Sequence, residues 1–490
     1  MFENLPAIIA GILVIADFAI RVAALIVIPR GRKPTAAMAW LLAIFLIPFV
    51  GVFLFLVIGN VKLPKARRDR QRELDRIIAE KAKAMPDPRG EESWPGWLPA
   101  LFRQNRALGA LPALGGNAAQ LIGDYQASID AMSAAVDTAT RFVHVEFYIV
   151  SWDATTGGLF DAMERAVRRG VVVRLLADYV ASRRTVGHDE TFAELDRIGV
   201  TWKDMLPVRP LHGQYQRPDL RNHRKLVVVD GRIGFTGSQN LIDRSYRSEK
   251  NITRGLQWQE LMARVTGPVV TALNGVFLSD WYLETGELLG DTENVPVDDV
   301  TVTASPGSLV CQIVPSGPAY DTENGLRLFL ALVSSAREKV IITSPYFVPD
   351  EAMMYAITSA CFRGLDVELF VSEIGDQGSV WHAQRSYYGE LLRAGVKIWL
   401  YPGPYILHAK HLSIDDDVAV IGSSNMDIRS FSLNAEVLML VHGRSFVEGM
   451  RAVEQGYRDA GRQLTLEEWK REPATATFLD GIARLTSALQ

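Results

Sequence analysis

His223-Arg224-Lys225-Leu226-Val227-Val228-Val229-Asp230 and His408-Ala409-Lys410-His411-Leu412-Ser413-Ile414-Asp415 are two copies of one pattern, HxKxxxxD. Counting from each histidine, Gly follows at +14 (Gly237, Gly422), Ser at +15 (Ser238, Ser423) and Asn at +17 (Asn240, Asn425). One match arises easily by accident, whereas two with the same trailing residues mark a duplicated unit. Strand alternation puts His223 and Lys225 on one face, and His408 and Lys410 on one face. Each half therefore presents an imidazole beside an ammonium.

The duplication reaches beyond the motif. Phe142 to Asp178 reads as strand, turn, a helix ending at Gly170 and a second strand; Val340 to Ser372 repeats that order, with Tyr148 matching Tyr346 and Gly170 matching Gly364. A further helix-to-strand unit follows in each half, over Phe192 to Thr201 and Tyr388 to Tyr401, with Gly199 and Gly395 where a helix C-cap is needed. The expectation is an α/β fold of two similar lobes, each a mixed β-sheet flanked by helices, over 117–290 and 300–490. The acidic, turn-rich stretch Gly286 to Asp299 is the expected linker, and the cleft between the lobes the natural site.

Two imidazoles, two ammoniums and two Asn amides around one volume suit a single phosphate diester. Lys225 and Lys410 supply charge, and Ser238, Asn240, Ser423 and Asn425 supply donors to phosphate oxygens. One histidine attacks phosphorus; the other protonates the leaving alkoxide and then deprotonates the incoming alcohol. Sequence alone does not order them. Each ring needs its second nitrogen held, and Glu260 and Glu436, placed similarly downstream of their motifs, are the candidates. Asp230 and Asp415 complete the motif at strand ends near turns and are expected to brace it. His144, His188, His212, His382 and His442 read as structural, and His411 points away by odd spacing. Neither a metal nor a cofactor is called for, and GxxxxGK[ST], HExxH and GxSxG are absent from the sequence.

At the other end, Leu5 to Ile28 and Thr35 to Ile58 are apolar runs of 24 residues each, separated by Pro29-Arg30-Gly31-Arg32-Lys33-Pro34. They are expected to form a membrane hairpin over 1–60, followed by a basic juxtamembrane and connecting segment over 61–116. Asp17 and Arg21 can neutralise each other at i, i+4, while Pro48 and Gly51 would kink or break the second run. Lys62, Lys65, Arg67, Arg68, Arg70 and Arg72 argue for a cytoplasmic catalytic region and for attraction to anionic lipid. Arg30, Arg32 and Lys33 argue the opposite orientation unless the hairpin is re-entrant.

Composition narrows the class. Of 490 residues, 52 are Lys or Arg and 56 Asp or Glu, for a net charge of -4. Residues 1–84 hold 13 basic against 6 acidic side chains, so the remainder is acidic and a poor partner for nucleic acid. Two cysteines, Cys311 and Cys361, exclude a disulfide scaffold and a cysteine zinc site.

These residues carry a resemblance. The paired HxKxxxxD motifs with trailing GSxN resemble the phospholipase D superfamily, and nearly the whole chain is similar to the bacterial cardiolipin synthases. The likeness runs through Ala39-Trp40, Pro48-Phe49-Val50-Gly51, Arg221-Asn222-His223, Ser316-Gly317-Pro318, Pro345-Tyr346-Phe347 and Asp427-Ile428-Arg429. It implies transfer of a phosphatidyl group between two phosphatidylglycerol molecules at the bacterial inner membrane, giving cardiolipin and glycerol. It further implies His223 as nucleophile, through a phosphohistidine, and His408 as general acid. A hydrolase or another phosphatidyltransferase on the same site is the alternative, because water and alcohols compete for one phosphohistidine. Thr236-Gly237-Ser238 departs slightly from the double Gly common in the family. Oligomeric state is not encoded in any of these features.

Overall fold

The computed structural model describes residues 5–32, 34–59, 63–83, 94–209, 211, 216–289, 307–320 and 322–485. The first lobe contains β1 (Leu114–Ile122), β2 (Phe142–Phe147), β3 (Val172–Asp178), β4 (Thr201–Met205), β5 (Arg221–Asn222), β6 (Lys225–Val229), β7 (Ile233–Gly237), β8 (Gln257–Gln259) and β9 (Met262–Thr266). The second contains β10 (Leu309–Ser316), β11 (Lys339–Thr343), β12 (Phe347–Val348), β13 (Asp366–Ser372), β14 (Lys397–Tyr401), β15 (Tyr405–Leu407), β16 (His411–Ile414), β17 (Val418–Gly422), β18 (Met426–Asp427), β19 (Asn434–His442) and β20 (Arg462–Leu464).

The main sheet runs β4-β3-β2-β6-β7-β9-β1-β10-β19-β17-β16-β11-β13-β14-β20. Read outward from the antiparallel β1–β10 seam, both halves keep one order: antiparallel pairs as far as β2 or β11, then two parallel additions. This is the expected duplication, realised as one sheet crossing both lobes instead of two separate sheets. β2, β6 and β10 are buried at every position, as strands covered on both faces must be. The repeat's helices end where expected, Gly199 at φ 81° and Gly395 at φ 106° taking the left-handed cap conformation that costs glycine least. β1 starts at Leu114, so the first lobe begins slightly before residue 117. Of the expected linker, 290–299 lies outside the described residues.

The N-terminal hairpin differs from expectation. α1 (Leu5–Val27) is one continuous helix, about 35 Å long at 1.5 Å per residue and sufficient to cross a bilayer. The second run breaks at Ile47 into α2 (Pro34–Leu46) and α3 (Pro48–Ile58), about 20 and 16 Å long, neither of which spans. They fold back on one another: a Cβ on Gly51 would lie 2.7 Å from the Ile44 Cα, which leaves room only for glycine. The cause is Pro48, which lacks the amide that would continue α2. Arg32 locks the result, donating to the carbonyls of Ile28 and of Gly59, both at 3.0 Å, with its guanidinium 4.7 Å from the Phe55 ring centre. The end of α1, the start of α2 and the end of α3 therefore meet at one level. Among the described residues there is one helix long enough to cross, plus a re-entrant pair; the hairpin of two crossings is not formed. Arg21 binds Asp17 at 2.8 Å as the spacing predicts.

α4 (Lys65–Lys83) corrects a second expectation. Arg67 is buried against Glu284 at 2.6 Å, and Arg70 donates to the Leu283 carbonyl at 3.0 Å, so part of the basic flank docks the protein instead of facing lipid. Both acceptors lie in the long helix Val269–Thr285, which backs the first lobe. Lys33 and Lys62 are outside the described residues.

The re-entrant arrangement yields a topology test. Single cysteines at Arg30 and Pro64, on opposite sides of the second apolar run, are expected to react with an impermeant maleimide from the same side of sealed vesicles. Labelling from opposite sides would show a second crossing.

Candidate active site

The backbone brings the motifs together before any side chain does. β5 runs parallel to the start of β19, pairing Arg221 with Asn434 and Asn222 with Ala435. β8 and β15 pair likewise, Gln257 to Gln259 against Tyr405 to Leu407. The next amides continue the pattern, His223 N–H donating to Ala435 at 2.8 Å and His408 N–H to Gln259 at 2.7 Å. Each histidine therefore enters the cleft alongside the strand of the other lobe, directly opposite that lobe's glutamate.

The clamps are crossed. Glu436 of the second lobe faces His223 Nδ1 with both carboxylate oxygens at 3.0 Å, and Glu260 of the first faces His408 Nδ1 at 2.7 Å. A carboxylate at Nδ1 keeps the proton there and leaves the Nε2 lone pair free. Lys410 Nζ also lies 3.1 Å from His408 Nδ1, but the closer carboxylate holds the ring proton. Lys225 and Lys410 fold back to donate to the carbonyls of His223 and His408, at 2.6 and 2.7 Å. Both precede or open their strands, so alternation along a regular strand is replaced by an extended connector with the same outcome.

Burial sets the electrostatics. Desolvation pushes the His223 imidazole down to about 4 against the pull of Glu436, with Lys225 and Lys410 lowering it further. His408 is lowered for the same leading reason, opposed by Glu260. The buried ammoniums fall to about 7 for Lys225 and about 8 for Lys410, desolvation again being the largest cause and the two glutamates the chief opposition. Both carboxyls stay below their ordinary value despite burial, because the histidines and lysines favour the charged form.

The remaining expected residues divide. Ser423 donates to Glu436, whereas Ser238 donates to the Leu261 carbonyl at 3.2 Å and accepts from the Leu261 amide at 2.9 Å. Both hydroxyls, expected to face phosphate, have partners inside the protein, Ser423 the Glu436 carboxylate and Ser238 the backbone of Leu261, next to Glu260. Asn240 donates to the Tyr246 hydroxyl at 2.8 Å and Asn425 to Asp427 at 3.1 Å, while Asn425 Oδ1 is buried without a partner. Asp230 and Asp415 are not brought into the cleft. Sitting at the far ends of their strands at φ 51° and 46°, they accept from the backbone of Thr140, Arg141 and Phe142, and of Arg337, Glu338 and Lys339. They brace the strand that carries the motif. His144 is a stacked, buried core residue on Asn274; His382 instead meets Asp480 near the surface, and His212 lies outside the described residues.

Three tyrosines were not singled out for the site. The Tyr148 and His223 rings pack T-shaped with centres 5.0 Å apart, and those of the repeat mate Tyr346 and His408 likewise at 6.1 Å. Tyr246 reaches Glu260 at 3.2 Å and lies 6.2 Å from His408. The matched Tyr148 and Tyr346 were the available signal. Behind His223, Arg224 binds Asp280 and donates through Nε to the Glu436 carbonyl at 3.1 Å, and Asn222 donates to Glu146 at 3.0 Å.

The profile of the family described as "Cardiolipin synthase, PLD-like domain" matches residues 132–270 and 329–455, and that of "Phospholipase_D-nuclease N-terminal" matches 19–60. The chain is 32% identical over 459 residues to "Cardiolipin synthase A" of Pectobacterium atrosepticum, covering 91% of each. It is 29% identical over 469 residues to the protein of that name from Proteus mirabilis, covering 94% of each. The crystal structure of phosphatidylserine synthase from Haemophilus influenzae superposes with a TM-score of 0.60 at 13% identity, over 79% of this chain and 99% of that one, a likeness of fold.

The crossed clamps predict a crossed response. At neutral pH, ¹⁵N spectra of labelled histidine should show both rings as Nδ1–H tautomers. Glu436→Gln should loosen that preference at His223 alone, and Glu260→Gln at His408 alone. A response at the histidine of the same lobe would contradict the geometry. The lysines give a pH dependence. Their folded values are depressed, so positive charge is present below and lost above about 7 to 8, and affinity for a phosphate diester should fall as pH rises through that range. A KM that stays flat through pH 9 would count against them as the anion holders.

Proposed function

The chain belongs to the cardiolipin synthase family of phospholipase D-like proteins, and on that premise we propose how it carries a phosphatidyl group from one phosphatidylglycerol to another. It is a phosphatidyltransferase, making cardiolipin and releasing glycerol. The observation that carries the mechanism is the crossed carboxylate–imidazole pair, which leaves a free Nε2 on each side of one cleft with two ammoniums between.

His223, kept neutral by burial, attacks phosphorus through Nε2, and the P–O bond to the departing glycerol breaks. His408, which takes up a proton at Nε2 when the diester binds, gives that proton to the departing oxygen and then accepts the proton of a glycerol hydroxyl on a second phosphatidylglycerol. The new alkoxide attacks phosphorus, the P–N bond breaks, and His223 is returned neutral. Lys225 and Lys410 hold the nonbridging oxygens, with the Asn240 and Asn425 amides able to turn toward them; Glu436 and Glu260 orient the rings, Ser423 orients Glu436 and the Tyr246 hydroxyl orients Glu260. Asp230 and Asp415 brace the two strands.

The apolar α1 associates the chain with a membrane. For the family's setting, the bacterial inner membrane, the catalytic lobes would lie on the cytoplasmic side. The support is that the re-entrant pair puts Arg30, Arg32 and the α4 arginines at one face, which removes the conflict between two basic flanks.

Purified protein in phosphatidylglycerol vesicles is expected to form cardiolipin and an equal amount of glycerol, with chelator present. His223→Ala and His408→Ala should each lower the rate by more than about 10³-fold. An alkaline quench of phosphorus-labelled donor, which preserves the acid-labile P–N bond, should leave phosphate on His223 in wild type and in a slow His408→Ala variant. Phosphatidic acid as the sole product would favour a hydrolase, and label on His408 would reverse the two roles.

A further inference from the structure

Helix Ala474–Leu485 is built inside out. Its protein-facing side carries Asp480, 2% exposed, which binds His382 at 2.6 Å and lies 3.4 Å from Arg385. Its outward side carries Phe478, Leu479, Ile482 and Leu485, between 47% and 85% exposed. Positions 478, 482 and 485 follow i, i+4, i+7, so the apolar side chains form one stripe. A water-facing helix normally shows the reverse, and a contiguous apolar stripe marks a surface that meets something apolar.

The position of this helix identifies the occupant. It packs on helix Gly378–Arg385, which follows the loop carrying Gly375 and Asp376. That loop closes on the cleft: Asp376 accepts from the Tyr346 hydroxyl at 2.7 Å, and Arg254 of the first lobe donates to the Gly375 carbonyl at 3.0 Å. Across the cleft, Leu63 packs with Leu206, Leu220 and Leu433, just after the membrane helices and just before the backbone segments that hold His223 and Glu436. α1 brings the chain to a bilayer, and helix Ala474–Leu485 adjoins, through Gly378–Arg385, the loop that closes on the cleft. A helix of this length exposes a face on the order of 200 Å², well short of the roughly 800 Å² per partner of a stable dimer.

We propose that helix Ala474–Leu485 is a second membrane contact, lying in the lipid interface beside the cleft with its apolar stripe in the acyl region. α1 and this helix then hold the opening against the bilayer from two sides. A diacyl substrate can bring its phosphate to the histidines while its chains stay in lipid. The inference deepens the lipid-transfer reading and takes from it only the orientation of the cleft.

The test needs no turnover. Full-length protein carrying Cys361→Ser and Ile482→Cys is labelled with an environment-sensitive fluorophore and reconstituted in phosphatidylglycerol–phosphatidylethanolamine vesicles containing nitroxide lipids. The reference label goes on Arg168→Cys, an exposed residue at the C-terminal end of the helix Gly157–Arg168, beside the start of β3 and so at the opposite end of that strand from Asp178. Quenching at 482 several-fold above that at 168 is expected. Equal quenching, or a signal at 482 that tracks protein density instead of nitroxide content and so reports a second copy, would overturn the proposal. Phe478→Asp with Ile482→Asp should slow turnover severalfold on vesicles and leave turnover of detergent-dispersed substrate and the Tm unchanged; an equal loss on both substrates would also overturn it. An inactive protein that is still quenched at 482 would refute the catalytic reading and leave this one standing.

Discussion

The structure depends on a carboxylate from each lobe reaching the imidazole of the other. Glu436 at His223 and Glu260 at His408 turn two similar halves into one site that neither half contains. A buried carboxylate is expensive unless it is paired, and here Glu436 meets an imidazole and a serine, and Glu260 an imidazole and the Tyr246 hydroxyl. The contacts are fixed by backbone pairing, β5 on β19 and β8 on β15, so separating the lobes would break ladder bonds and strand two carboxylates in an apolar seam. The continuous β1–β10 seam makes that separation harder still.

Support for this pair extends outward through named side chains. Arg224 joins the Glu436 backbone to Asp280, in the helix Val269–Thr285. Glu284 and the Leu283 carbonyl of that helix bind Arg67 and Arg70 of α4. The segment that leaves the membrane is thus packed on the same helix that backs His223, and its arginines have a structural task that sequence charge alone reads as affinity for lipid.

What the sequence made legible was whatever the duplication wrote twice: the lobes, the order of strand and helix, the histidines, lysines and carboxylates, and the bracing aspartates. Pairing between the copies was not legible, because a repeat gives equivalence and not contact; Glu260 and Glu436 could be named, but not which ring each holds. Where the serine hydroxyls point was not legible either: Ser423 reaches the Glu436 carboxylate and Ser238 the Leu261 backbone, and the shared spacing after each histidine does not distinguish such partners from a phosphate. The second apolar run had the length of a crossing, and only the backbone consequence of Pro48 and the bare Cα of Gly51 reveal that it turns back. The helix at 474–485 carries too mixed a pattern to show which side faces out until Asp480 is seen to point inward.

The charges of the cleft bear on how His408 could serve in the proposed role of general acid despite burial. Two carboxylates and two ammoniums balance, so the empty site is near neutral with both histidines uncharged. A diester phosphate adds one negative charge beside His408, whose protonated form was disfavoured chiefly by desolvation. The added charge opposes that penalty and draws a proton to the ring, while also restoring the lysines toward their charged form. In the proposed reaction, substrate thereby brings in the proton that its own leaving group would take. His223, clasped by both oxygens of Glu436 at Nδ1, needs only its Nε2 lone pair and is ready without that uptake.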